Sequence, residues 1–499
     1  MRRPPAAARL GILVLASSIA ALAVLAAAAP AKSARAGGAV GAGATLPLPA
    51  AVARTIDSVG RAGVGLHAVF TETGTPLASH AARRPLVPAS TMKILSSACA
   101  LDSLGPSFRF RTAFLADSAP DAAGTLRGSL YVRGAGDPAL DAERLWAAVR
   151  ELAAVGVKRV AGDVVVDESL FEPPGWPASW PDRMRPSPYN APQGALSLSW
   201  DATEIVVLPG AGRGSPARVS ASPLRAAAPV VSRATTAGTT DLSVFLQDGA
   251  DGRAQVIVNG TIAAGSAPFR TWIHLGPPGV AVGNALGELL REAGIEVRGR
   301  ARTGRAPADA VLLMEHESPG LGEIVAGVNK PSSNFGAEML TRALDAYVGG
   351  PPGSTAGGTR RIGSCLARWS VATDGLVLAD GSGYGKDNRL TAEALVGVLL
   401  AARRSPAWRA EFEASLARAA EDGSLRNRLP DLRGRVRAKT GTLNGVSSLA
   451  GYAVDRRGRE IAFSILVNGG GASPDDVDRL LRSLLAAADG LPLRAGRVS

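Results

Sequence analysis

Lysine is scarce in this chain. Only Lys32, Lys93, Lys158, Lys330, Lys386 and Lys439 are lysines among 55 basic residues, and the rest are arginine. A chain that defaults to Arg yet keeps an amine at 93 and 439 points to a group that must lose its proton or act as a compact charge, neither of which a guanidinium supplies. Cysteine is nearly absent: Cys99 and Cys365 leave room for one disulfide in an oxidising compartment or for two buried thiols. The four histidines, His67, His80, His274 and His316, show none of the local spacings of a zinc site. No G-x-S-x-G elbow is present, which removes the main sequence support for an α/β-hydrolase. Aromatics are 4% of the chain, too few for a single-stranded nucleic-acid stacking platform, and no basic run is dense enough for DNA binding.

What is present suits a globular protein of two or three domains: 499 residues, 46% hydrophobic, 20% charged, with 59 Gly and 34 Pro. The formal charge is +12, and five of the bases precede residue 37, where there is no acid. Arg2, Arg3 and Arg9 lead into an apolar stretch from Leu10 to Ala29, followed by small-residue cleavage sites at Ala29-Pro30-Ala31 or Ala34-Arg35-Ala36. Residues 1–36 read as a secretory signal peptide; the competing reading, an uncleaved anchor, has the length but not the cleavage pattern in its favour. No later segment is long and apolar enough to span a membrane. The expectation is therefore a periplasmic or otherwise extracytoplasmic protein with no stable membrane span once the signal is removed.

Periodicity predicts helix over Pro49–Gly60, strands at Val64–Thr71 and Pro76–His80, and a longer helix from Ser90 to Gly105-Pro106. Residues 107–309 differ, with alternating strands (among them Arg109–Ala116, Gly128–Val132, Val164–Val166, Leu196–Val207 and Ala254–Val258) and two helices, Asp141–Ala154 and Val280–Ala293. Helices return at Leu321–Val328, Phe335–Tyr347, Arg360–Trp369 and Thr391–Arg403. Strands Val436–Thr440, Ser448–Val454 and Ile461–Val467 follow, with turns at Asn444-Gly445 and Asp455–Gly458, before a closing helix at Pro474–Ala487. The expected fold class is α/β (α+β). One domain is built from both chain ends, residues 37–106 plus 310–499, and residues 107–309 form a mostly β insertion of two small domains.

Three short motifs carry chemistry. Ser90-Thr91-Met92-Lys93 opens the long helix, and a three-residue spacing puts both side chains on one face, so the amine can take the hydroxyl proton. Alone it reads equally as an N-cap serine with a solvated lysine. Ser332-Ser333-Asn334 lies between two predicted helices, where it can present a hydroxyl and an amide together or simply cap the second helix. Lys439-Thr440-Gly441 ends a strand before an Asn-Gly hairpin, and its glycine lets a substrate backbone approach the strand edge. Gly134-Ala135-Gly136-Asp137-Pro138-Ala139 fits a dinucleotide fingerprint, but the surroundings lack the repeated βαβ pattern; a tight turn capped by Asp137 explains it better.

In this chain order the three motifs resemble the signature elements of the penicillin-binding and serine β-lactamase superfamily. The 242 residues from Ser90 to Ser332 narrow the resemblance to the class C low-molecular-mass penicillin-binding proteins, the D-alanyl-D-alanine carboxypeptidase/endopeptidase family. Asn329-Lys330, Asp380-Gly381-Ser382-Gly383, Asp422-Gly423-Ser424-Leu425 and Lys439-Thr440-Gly441-Thr442-Leu443-Asn444-Gly445-Val446 strengthen it. The resemblance implies a penicillin-binding/serine β-lactamase-like transpeptidase domain and a serine DD-peptidase without cofactor or metal. Its partners are peptidoglycan stem peptides and β-lactam antibiotics, not nucleic acid. Ser90 is then the nucleophile and Lys93 its base, made neutral by burial and by the charge of Lys439. Ser332 passes a proton to the leaving group, Lys439 holds Ser332, and Asn334 bonds the substrate amide and Lys93. Thr440, Gly441 and Thr442 receive the substrate, with backbone N–H groups of Ser90 and Thr442 as the oxyanion hole. Asp182, Tyr189 and Lys386 are the matching positions for recognition of the stem-peptide side chain, Lys386 standing where the family has Arg. A β-lactamase or esterase of the same superfamily, and a non-catalytic cell-wall-binding or β-lactam-sensing protein, are the alternative readings.

Overall fold

A computed structural model describes residues 48–491 apart from 61–62, 174, 182–187, 223–228, 249–253 and 276–277. The signal segment and Asp182 lie outside the described residues.

The two ends of the chain share one antiparallel sheet. Its six strands run in the order Ala417–Arg418, Val436–Leu443, Val446–Val454, Glu460–Asn468, Val64–Phe70, Pro76–His80. Val64–Phe70 pairs in register with Glu460–Asn468 across nearly four hundred residues of sequence, Leu66 opposite Ile465 and Ala68 opposite Phe463. The central strands are buried on both faces, which is why they read as almost continuous apolar runs rather than as alternation. On one face the amphipathic helices Ala50–Val59 and Pro474–Gly490 bury Val52, Ile56, Leu480, Leu481 and Leu484 against Phe463. On the other, helices Lys93–Leu104, Asn334–Leu344 and Ala392–Arg404 bury Leu95, Leu340, Leu395 and Leu399 against Ala450 and Leu466. Burial at about 25 cal/mol per Å² of apolar surface makes this three-layer arrangement the scaffold that holds the cleft residues in place. Cys99, on the Lys93–Leu104 helix, is disulfide-bonded to Cys365 on helix Thr355–Arg368, which decides between the two readings left open for the cysteines.

The central segment contributes a five-stranded mixed sheet, in the order Ala301–Thr303, Val164–Asp167, Leu130–Arg133, Arg111–Ala116, Val311–Glu317. Helices Ala142–Ala154 and Pro278–Glu292 pack onto it around Leu145, Val149, Val166 and Leu286. Strand Val311–Glu317 completes its edge beside Arg111–Ala116, so this sheet draws on residues beyond 309. Two smaller sheets enclose a separate cluster of Ile205, Val207, Val256, Val258, Ile262 and Ile273.

Three details depart from the sequence reading. The predicted strand Leu196–Val207 is broken at Ser199, Trp200 and Asp201, all with φ near +50 to +60°. Buried Asp201 pins this left-handed turn by accepting from Ser197 Oγ (2.7 Å) and Leu198 N (3.1 Å), and the strand proper is Ala202–Leu208. The helix predicted from Arg360 begins at Thr355, because Ser354 caps it by accepting from Gly357 N; the pair Gly357-Gly358 lowers helix propensity and hides that start. The Ala142–Ala154 helix is capped by Asp141, not Asp137, which instead accepts from Ala139 N within the turn. In that turn a Cβ on Gly134 would fall 2.2 Å from the Ala195 backbone, so chain packing accounts for this glycine without a phosphate.

Candidate active site

Ser90 does not open an α-helix. It lies in a 3-10 turn, Ala89–Met92, entered through Ala89 at φ 48°, and the α-helix begins at Lys93. In a 3-10 turn residues i and i+3 eclipse, so Lys93 stands directly over Ser90. Its Nζ donates to Ser90 Oγ (2.8 Å), to Asn334 Oδ1 (2.8 Å) and to the Ser382 carbonyl (2.7 Å). Lys93 is fully buried. Burial pushes its ammonium down to about 7, against opposing pulls from the Asp380 and Glu338 carboxyls. A neutral amine has two N–H bonds and one lone pair. Asn334 Oδ1 and the Ser382 carbonyl have no proton to give and engage both N–H bonds, so the lone pair is left for the Ser90 hydroxyl.

The Ser332-Ser333-Asn334 loop does two things at once. Ser333 caps helix Asn334–Leu344 by accepting from Gly336 N, as the capping reading expects. Ser332, at φ 64°, turns its hydroxyl the other way, where Lys439 Nζ donates to it at 2.8 Å. Lys439 is also fully buried and donates to the Thr440 carbonyl (2.7 Å). Burial and the nearby Lys93 lower its proton affinity well below that of a free lysine. Burial is the first cause of the lowering for both amines, and their mutual repulsion disfavours both being charged at once.

The Lys439-Thr440-Gly441 strand is pressed against the Ser90 turn. A Cβ on Gly441 would lie 2.2 Å from Ser448 Oγ and 2.9 Å from Ser90 N, so only glycine fits, and Ser448 Oγ donates to the Pro88 carbonyl (2.6 Å) to fix the approach. The neighbouring strand Ala417–Arg418 pairs with Arg437 and Ala438, and among the described residues the edge from Lys439 to Leu443 has no strand partner on that side. Thr440 Oγ1 donates to Ser424 Oγ (2.7 Å), whose own N–H donates to the Lys330 carbonyl, and Lys330 Nζ pairs with Asp422 at 2.8 Å. Thus Lys330, Asp422 and Ser424 tie the strand to the segment that leads into the Ser332 loop, while Asn329 joins the Lys93 helix to Ser415 through Ser97. Thr442 is exposed at the open edge.

A model of the D-Ala-D-Ala carboxypeptidase 3 (S13) family matches residues 49–487. The chain belongs to that family. It is 35% identical over 421 residues to the D-alanyl-D-alanine carboxypeptidase of Actinomadura sp. (strain R39), an alignment covering 81% of this chain and 77% of the relative. The D-alanyl-D-alanine carboxypeptidase DacB of Haemophilus influenzae is 28% identical over 392 residues, covering 77% and 81%. The crystal structure of penicillin binding protein 4 (dacB) from the same organism superposes with a TM-score of 0.76 at 24% identity, over 88% of this chain and 99% of that one, and shows the shared penicillin-binding fold.

In this S13 chain the remaining sequence-predicted residues are placed as follows. Tyr189 is exposed, and its carbonyl accepts from Asn334 Nδ2 (3.1 Å), which puts its backbone beside Asn334. Lys386 is exposed and donates to the Asn444 carbonyl (3.0 Å) at the hairpin turn beyond Thr442. Asp182 is not among the described residues. Sequence reasoning missed Glu338, which is fully buried and accepts from Gly381 N (2.8 Å) and Ser382 N (2.9 Å). The signal was available: an acid four residues after Asn334, in the apolar run Phe335–Leu340. Among the described residues no cluster of His, Cys, Asp and Glu is suited to a metal ion.

Proposed function

We propose that this S13-family chain is a serine-type D-Ala-D-Ala carboxypeptidase/endopeptidase that cleaves peptidoglycan stem peptides through an acyl-enzyme on Ser90, and that β-lactams acylate the same serine. The observation that carries the reading is the buried Lys93 amine, held by two fixed acceptors with its third direction on Ser90 Oγ at 2.8 Å. Ser90 Oγ attacks the carbonyl of the penultimate D-Ala while its proton passes to Lys93 Nζ. The peptide lies along the open strand edge, and Ser90 N–H and Thr442 N–H receive the oxyanion, each donor contributing on the order of 3 kcal/mol. Lys439 donates to Ser332 Oγ, which leaves the Ser332 hydrogen free to move to the departing D-Ala nitrogen as the C–N bond breaks, and the proton that Lys93 took from Ser90 then restores the Ser332 hydroxyl and leaves Lys93 neutral. Asn334 orients both Lys93 and the substrate amide, and Thr440 and Thr442 receive the terminal carboxylate. Water then attacks the ester and returns Ser90. A β-lactam opens to the same ester with its amine still tethered, so it cannot leave.

Tyr189 and Lys386, with Asp182, form the side-chain recognition end of the cleft in this reading. Among the described residues, those up to 106 with those from 310 onward form the catalytic domain and 107–309 the insertion, whose sheet takes its edge strand, Val311–Glu317, from the return of the chain. The enzyme works outside the cytoplasm. A cationic, small-residue-terminated leader supports export, and among the described residues no helix is long and apolar enough to cross a membrane.

Mass spectrometry after treatment with benzylpenicillin tests the assignment. A stable adduct mapped to the Ser90 peptide, absent in Ser90→Ala, is expected. An adduct elsewhere sinks the nucleophile assignment. Rapid turnover of penicillin without adduct would make the protein a β-lactamase, and an unmodified protein that hydrolyses no D-Ala-D-Ala peptide would make it a binding protein.

A further inference from the structure

One of the two acceptors that shape Lys93 is a loop carbonyl, and what fixes that loop is a pair of buried carboxyl groups. Asp380 starts the loop and accepts five hydrogen bonds. Ser382 N, Ser382 Oγ and Gly383 N reach one of its oxygens, and Gly385 N and Ser179 Oγ the other. Glu338 holds the loop from the helix side, its Oε1 accepting from both Gly381 N and Ser382 N. Gly381 is tied to the Lys93 helix as well, since Ser96 Oγ donates to its carbonyl at 2.9 Å. The Ser382 carbonyl shares its peptide plane with Gly383 N–H, which Asp380 holds, while Glu338 holds the preceding plane through Ser382 N–H, so the two carboxyls fix the planes on either side of the Ser382 Cα. That carbonyl lies 2.7 Å from Lys93 Nζ. Asn334 and Glu338 are four residues apart on one helix and face the same way. A single helix therefore supplies both supports of the amine, one directly and one through the loop.

A fully buried carboxyl is a costly choice for a packing position, and among the described residues Glu338 forms no ion pair. We propose that Glu338 is a positioning residue for the Lys93 base: by anchoring the Gly381–Ser382 peptide it keeps the loop seated with the Ser382 carbonyl on Lys93 Nζ, so that the lone pair falls to Ser90. The inference rests on Lys93 acting as the base. The charged and polar groups facing this pair are Asp380 from the loop, Arg342 from the same helix, Lys439 from the neighbouring strand and the Thr355 hydroxyl, 3.5 Å from Glu338 Oε2. Burial, reinforced by Asp380, pushes Glu338 up to about 8, above the about 7 of Lys93, so the carboxyl is neutral where Lys93 titrates and acts on it through the hydrogen bonds to the loop.

The test is the rate of Ser90 acylation by benzylpenicillin across pH 5–9 for wild type, Glu338→Gln and Glu338→Ala, with thermal unfolding measured alongside. Glu338→Ala frees the loop, and its plateau rate is expected to fall at least tenfold. Glu338→Gln keeps an accepting oxygen and recovers most of that loss, with its acid limb at the wild-type pH because the carboxyl it replaces is neutral there. A Glu338→Ala plateau within twofold of wild type overturns the proposal, as does a folded Glu338→Gln with a plateau no higher than that of Glu338→Ala. Should Glu338→Ala not fold, Glu338→Leu, which keeps the volume and loses the acceptor, takes its place. If wild-type protein is not acylated at Ser90 at all, the reading of the active site fails before this question arises.

Discussion

The cleft and the central segment handle positive charge in opposite ways. In the central segment the cations are mostly arginines at the surface, each roughly half exposed and paired with a carboxylate: Arg159 and Arg298 with Glu296, Arg302 with Asp163, Arg270 with Glu204. In the cleft the cations are Lys93 and Lys439, fully buried, with hydroxyls, carbonyls and an amide as partners and no carboxylate within ion-pair distance among the described residues. A surface guanidinium stays charged whatever its neighbours do. An amine taken out of water beside neutral acceptors gives up its charge, and that is the property acyl transfer needs. The scarcity of lysine in this chain thus has a spatial meaning: the amine is placed where a proton must come off.

The largest effect expected from breaking this contrast is at Lys93. Lys93→Arg should slow acylation by roughly 10³-fold or more, since a guanidinium does not accept the Ser90 proton. Lys93→Met, which keeps the volume, should show the same loss with a thermal midpoint no lower than wild type, separating chemistry from packing. In wild type the base form of Lys93 fills as pH rises through about 7, so acylation should climb with pH across that range. A rate flat from pH 5 to 8 would contradict the assignment.

The second effect concerns the scaffold and not the chemistry. The Cys99–Cys365 bridge closes a loop with a sequence separation of 266. That loop contains the whole central segment, so the bridge ties the cleft helix to the return of the chain. Cys99→Ala/Cys365→Ala should lose about 2–5 kcal/mol of stability, read from chemical denaturation, while penicillin acylation per folded molecule stays within a few-fold of wild type. A larger fall in the acylation rate of folded protein would mean that the bridge shapes the site itself.

Lys386 is a smaller and more selective test, because it is a lysine at the surface of the cleft and so falls between the two regimes. Lys386→Arg supplies a bidentate fork, and should change preference for diaminopimelate-containing peptides several-fold while penicillin acylation barely moves. Equal changes in both would remove Lys386 from side-chain recognition.

How much of this was legible beforehand follows from what sequence encodes locally. The pairing of the chain ends shows as apolar strands at each end, and Ser90, Lys93, Ser332, Asn334 and Lys439 fall within hydrogen-bonding networks because short motifs fix short-range geometry. The 3-10 turn at Ala89–Met92 was hidden, since it depends on a residue with no special propensity, Ala89, being held at positive φ by the strand packed against it. The left-handed turn at Ser199–Asp201 was hidden for the same reason, being imposed by the buried Asp201 carboxyl. Glu338 escaped notice because its partners, Gly381 and Ser382, are more than forty residues away, and no local rule links a helix interior to a distant loop. The disulfide likewise depends on two helices being brought side by side by the core.

The smallest effect completes the contrast from the other side. Arg159 and Arg298 each reach Glu296 through Nε, at 2.6 and 2.9 Å, and all three side chains are well exposed. Those guanidinium contacts hold the Glu296 carboxyl below the usual range, so what they add to stability is present above the unfolded-state Glu value and is lost only as pH falls through the lowered one. Neither contact needs the planar fork, and both are screened by water and salt. Replacing both arginines with lysine should therefore leave the thermal midpoint at pH 7 within about 2 °C of wild type and leave acylation unchanged. The same exchange of cation type that is nearly silent at this exposed cluster of the central segment would, run in reverse at Lys93, stop the enzyme. A large destabilisation in the Arg159→Lys/Arg298→Lys protein would show that cation identity matters in both regions, and that burial is not what separates them.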